Sequence, residues 1–139
     1  MTRDEIRAAI VARPELADMV TARDDAGIAA ALSAGRTRLR RTQIGPGTIL
    51  AALGPTGGAQ LLDTLTAMAA DPQYSAVKWA LKVIDRGEFD LGVAAARAQV
   101  ATLAAGGVMT AQTRDALLAL GEEPDPVSVA DVSDALNGV

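Results

Sequence analysis

The chain has 139 residues, half of them hydrophobic, with one Trp, one Tyr and one Phe, and a net charge of −4. The absence of cysteine excludes disulfides, thiolate nucleophiles and zinc–thiolate sites. The absence of histidine removes the usual general base and the commonest transition-metal ligand.

A chain of this length suits one domain, 1–139, able to bury roughly two thirds of its unfolded surface. Alanine and leucine with so few aromatics favour helix over sheet. The N-terminus, MTRDEIRAAI, carries acids where a secretory signal needs positive charge, and no apolar core follows, so a soluble, unsecreted protein is expected. Thr2 and Glu5 predict a capping box before Ile6, Ala9 and Ile10. Pro14 opens PELADMVTA, and Asp24 or Asp25 opens DDAGIAAALSA. The endings ALSAG, LAALG, LAAGG and LLALG place Gly35, Gly54, Gly106 and Gly121 just past helix ends, where a left-handed residue costs least.

The longer helices are predicted at 56–70 and 73–86, at the centre of the fold. Leu61, Leu62, Leu65, Met68 and Ala69 keep helical spacing in the first, and Asp71-Pro72 caps the second. That second helix sets Val77, Ala80, Leu81 and Ile84 on one face and Trp79 with Val83 on another, which predicts a central helix with Trp79 buried. Lys78, Lys82 and Arg86 line its remaining side. GEFDLG reads as a turn or short extended piece, followed by helices in VAAARAQVATLAA and TAQTRDALLAL. Residues 121–127 form a proline-containing connector to a last helix from Ser128, with Asp131 completing a capping box. The best apolar run, LGVAAARAQVATLAAGGVM, is broken by Arg97 and Gln99 and is too weak for a membrane span. The expected fold class is all-α: a compact multi-helix domain with one Arg-rich extended arm or short edge strand, 35–47.

That arm, GRTRLRRTQIGPG, concentrates Arg36, Arg38, Arg40 and Arg41. Without them the chain keeps nine basic residues against seventeen acidic, a body that repels nucleic acid at long range. A helix would scatter the four charges, whereas an extended segment points Arg36, Arg38 and Arg40 one way and Arg41 the other. Guanidinium groups pair with carboxylates as readily as with phosphates, and no aromatic residue is present in the arm to stack on bases. Partner-protein binding by these four arginines is therefore the leading expectation, a solvated edge comes next, and nucleic acid third.

Other patterns carry less. IGPGTILAALGPTGG lacks the Gly-Lys-Ser/Thr of a phosphate loop; Gly45 and Gly47 read as a turn, with Thr48 starting a helix. LAAGGVMTAQTRDALLAL has the outline of a helix-turn-helix, but Asp115 offsets Arg114, and a structural hairpin is the better reading. Glu122, Glu123 and Asp125 lack the spacing of a calcium loop. Asp85, Glu88 and Asp90 carry no pattern that requires acid–base work, and no serine has a histidine to activate it. No catalytic, metal or cofactor residue is expected.

Two blocks, ALSAGRTRLRRTQIGPGTILAALGPTGGAQLLDTL and GEFDLG with LAAGGVMTAQTRDALLALGEEPDPVSVADV, resemble a group of small helical proteins encoded by tailed bacteriophages and prophages near virion-component genes. The likeness runs from about residue 3 to residue 136 and brings no catalytic or ligand residue with it. It implies a virion structural or assembly accessory protein of head, neck, tail or baseplate, non-enzymatic. Such a protein would contact other phage structural proteins or copies of itself, in the virion and in the host cytoplasm during assembly. The alternative is a phage-encoded intracellular regulator or adaptor touching nucleic acid through the same arm. An enzyme built of carboxylates and arginines stands third.

Overall fold

Side-chain oxygens of Thr2, Asp24 and Ser128 start three of the helices where the sequence placed them. In the computed structural model, which describes residues Met1–Gly138, Thr2 Oγ1 accepts the Glu5 N–H (3.2 Å) and the Thr2 N–H donates to Glu5 Oε2 (2.6 Å), opening α1 (Arg3–Val11). A 3-10 turn at Pro14–Leu16 leads into α2 (Ala17–Thr21). Asp24 Oδ1 accepts the Gly27 N–H (3.0 Å) at the start of α3 (Asp25–Ser33). The arginine arm is extended, as β1 (Thr37–Leu39) and β2 (Gln43–Ile44). Then come α4 (Pro46–Leu53), α5 (Pro55–Ala69), a 3-10 turn at Pro72–Tyr74, α6 (Ser75–Asp85) and β3 (Phe89–Asp90). The chain closes with α7 (Ala94–Ala105), α8 (Ala111–Ala119), β4 (Glu122–Pro124) and α9 (Val129–Leu136). The fold class is all-α, with only short strands beside the nine helices found among the described residues.

The described residues form two compact units, each around its own apolar cluster. The first comprises Met1–Arg38 and the chain from Pro124 onward. Here α9 lies against α1 and α3, and Ile6, Ile28 and Val132 are fully buried. Arg7 Nε donates to the Ala135 carbonyl (2.7 Å), and Ser33 Oγ accepts the Val127 N–H (2.8 Å). The connector expected at 121–127 contains β4, which pairs with β1.

The second unit, Leu39–Glu123, packs α4 on α5 and α5 on α6, with β2 and β3 antiparallel: Gln43 is opposite Asp90 and Ile44 opposite Phe89. Ile44, Ile49, Leu61, Leu65, Leu91 and Leu117 fill its core. Leu91 is fully buried; its N–H donates to the Thr42 carbonyl (3.0 Å) and its carbonyl accepts Arg97 Nη1 (3.0 Å). The same Arg97 nitrogen donates to the Leu118 carbonyl (2.9 Å), and Arg97 Nη2 pairs with Glu122. Backbone packing here is so close that a Cβ on Gly121 would lie 2.2 Å from the Leu91 carbonyl oxygen.

Three expectations change. Gly35 and Gly54 are left-handed (φ 72° and 83°), but the left-handed residue after α7 is Gly107, not Gly106, and Gly121 serves close approach instead of a turn. Helix α4 begins at Pro46, ahead of Thr48, whose Oγ1 accepts the Gly45 N–H (3.3 Å). Trp79 is not buried. It is 58% exposed, and Val83 is 37% exposed, because α6 turns only Val77 and Ile84 fully into the core and its second apolar face borders an open groove.

Gly121→Ala is expected to cost about 1–3 kcal/mol, since the added methyl meets rigid backbone. Gly47→Ala, with nothing within 4 Å of the new atom, is expected to change stability by less than about 1 kcal/mol, and in the stabilising direction. Urea midpoints of the two variants check the pair.

Candidate docking surface

The arm's arginines already have partners inside the chain. Arg36 Nη2 lies 2.7 Å from Asp125 Oδ2 and its Nε donates to the Asp125 carbonyl (3.2 Å). Arg38 Nη1 approaches the same carboxylate at 3.8 Å, so the alternation of an extended strand does bring Arg36 and Arg38 to one acid. Arg40 Nε donates to Thr42 Oγ1 (3.3 Å), while its backbone N–H donates to the Gly121 carbonyl (2.7 Å). Arg41 reaches Asp90 at 3.4 Å with its side chain 85% exposed. The four do not converge on one site.

Asp90 anchors the base of the arm. Its Oδ1 accepts the Thr42 N–H (2.9 Å) and the Gly92 N–H (2.8 Å). The Thr42 N–H, then the Gly92 N–H and the Arg41 charge, hold its carboxyl below the ordinary value of 3.8, against the opposing effect of partial burial.

A second uncovered feature is the outer face of α6. At about 100° per residue, Lys78, Lys82 and Arg86 fall on one side of Trp79, while Ala76, Ala80 and Val83 fall on the other. The Lys82 ammonium stands 4.2 Å from the Trp79 ring centroid and that of Lys78 5.3 Å, both cation–π distances. On its other flank Trp79 walls an open groove of about 380 Å³ between α6 and the start of α7, lined mainly by alanine and valine side chains with Phe89. Gln99 closes one end, its Nε2 donating to the Ala76 carbonyl (3.1 Å). Among the described residues none of Lys78, Lys82 and Arg86 ion-pairs with a carboxylate. Sequence pattern identified the apolar stripe and the basic stripe of α6 but assigned the first to the core. Nothing in the spacing distinguishes a helix covered on two faces from one covered on one.

Among the described residues no three acidic side chains cluster as a metal site would require, and no helix is long and apolar enough to cross a membrane. Comparisons with protein-family models, curated proteins and solved structures find no match for this chain.

Two measurements check this geometry. A carboxyl whose value is depressed on folding contributes stability that is complete above its unfolded value and is lost as pH falls through the folded one. The stability difference between wild type and Asp90→Asn is therefore expected to shrink as pH drops below about 4, read as urea midpoints at pH 6 and pH 3. At Trp79, iodide is expected to quench fluorescence more than caesium does, relative to a free tryptophan amide, because two ammoniums flank the ring. Lys78→Glu/Lys82→Glu reverses that order, and Trp79→Ala costs no more than about 1 kcal/mol, against the 3–5 kcal/mol of a core Trp.

Proposed function

We propose that this chain is a non-enzymatic accessory protein of a tailed-phage particle or of its assembly, working by docking on another protein through the outer face of α6. The observation that carries the docking is the lone Trp, 58% exposed beside an apolar groove and continuous with Val83. An uncovered large aromatic against an apolar cleft is the arrangement found at interaction hot spots, where Trp is enriched because it delivers much buried area for few rotatable bonds. The phage setting is supported by the likeness of the two sequence blocks described above, and the lack of histidine and cysteine fits a protein with no catalytic work.

The arginine arm has a subordinate place in this reading. Arg36 and Arg38 are engaged with Asp125, whereas Arg40 and Arg41 are exposed on the unit that carries α6, and Arg41, reaching Asp90 at the groove, can add a polar contact beside the apolar one. The protein would then reside in the virion, and in the host cytoplasm during assembly.

A photo-crosslinking amino acid at position 79, in cells producing the particle, tests this. One predominant crosslinked protein is expected, together with stoichiometric peptides of the chain in purified particles. No crosslink from position 79 removes the docking role. Absence of the chain from particles, despite abundance in cells, removes the virion role.

A further inference from the structure

The α6 face is asymmetric, and the asymmetry specifies what fits it. One edge is a rail of three cations, Lys78, Lys82 and Arg86, spaced four residues apart and so aligned along the helix. The only acid on the same stretch, Asp85, falls beyond Lys78 on the side away from Trp79. The body that carries this rail has an excess of carboxylates, yet none ion-pairs with it among the described residues. The other edge is the groove, where the acid Asp90 is already held by two backbone N–H groups and Arg41.

We propose that the occupant is an acidic, apolar-anchored segment of another protein, which rests on the docking reading of α6 given above. Its apolar side chains enter the groove beside Trp79 and its carboxylates lie along the Lys78–Lys82–Arg86 rail. The groove runs from Ala76 to Val83, about two helical turns, which suits two anchors at i and i+4 on a short helix. Complementary charge on one flank fixes the direction of the segment as well as its affinity. A second copy presenting its own α6 face brings cations to the rail, and the carboxylate at its groove, Asp90, is already held by two backbone N–H groups and Arg41. A single-stranded nucleic acid would need a free ring to stack on and cations along the track beyond it. Here the ammoniums stand over the ring, and the cleft beside it is walled by alanine and valine.

The test uses the full chain and its single Trp as reporter. Two synthetic helical peptides share leucines at i and i+4 and differ only in carrying Glu or Lys at the flanking positions. The Glu peptide is expected to shift Trp79 emission to the blue, saturably, and to bind at least about tenfold more tightly than the Lys peptide. Added salt weakens it, and Lys78→Glu/Lys82→Glu inverts the preference while circular dichroism shows the helices intact. Equal binding of the two peptides, or preference for Lys, overturns the acidic occupant while leaving docking at α6 in place. If neither peptide moves the emission, the inference also falls, and crosslinking at position 79 then judges the docking reading separately. Tighter binding of an oligothymidylate than of the Glu peptide assigns the face to nucleic acid. A blue shift that follows chain concentration alone assigns it to a second copy. Either result overturns the proposal.

Discussion

One guanidinium, that of Arg97, organises the larger unit. From α7 it reaches the Leu91 and Leu118 carbonyls and the Glu122 carboxylate, three acceptors from segments that follow β3, end α8 and begin β4. The Arg97 side chain is 17% exposed, so these bonds are largely shielded from water and stronger than surface pairs. Their effect is geometric as well. Carbonyls that would repel one another are drawn together by a shared cation, and only glycine fits where Gly121 passes the Leu91 backbone. Leu91 is at once fully buried, bonded to Thr42 and pressed on Gly121, so the arm's base, β3 and the end of α8 are fixed by one node.

That node determines what α6 can cover. Helix α6 runs directly into β3, and β3 is pinned at Leu91 on one side and to β2 through Ile44 and Phe89 on the other. With β3 held there, Val77 and Ile84 point into the core and Trp79 is left on the surface, at the wall of the open groove beside α7. A chain with one Trp and one Phe has few large side chains to spend. The Phe is buried as Phe89 and the Trp is on the surface. Alanines opposite Trp79 leave a cleft where larger residues would have closed the surface, and the Lys82 and Lys78 ammoniums stand over the exposed ring beside it.

Local chemistry was legible in the sequence and long-range chemistry was not. The caps at Thr2, Asp24 and Ser128 act within three residues, so local sequence located the starts of α1, α3 and α9. The extended arm was legible for a local reason too: its threonines are poor helix formers, and a helix would scatter the four arginines that an extended segment aligns. The partners Asp125 and Asp90 lie 89 and 49 residues away from Arg36 and Arg41, a separation that no periodicity encodes. Arg97 reads in the sequence only as an interruption of an apolar run, although it is the clamp that the run surrounds. Trp79 shows the limit most plainly. Its helical face was identified, but whether another element covers that face depends on where β3 is held, and that depends on Arg97 and Gly121.

Hydroxyl-radical footprinting of the dilute chain, read by peptide mass spectrometry, tests most directly whether α6 keeps one covered and one uncovered face. Trp79 and Val83 are predicted to be modified at rates near those of the unfolded chain, with Phe89 and Leu91 strongly protected. Protection of Trp79 in the dilute chain, comparable to that of Phe89, would contradict the account.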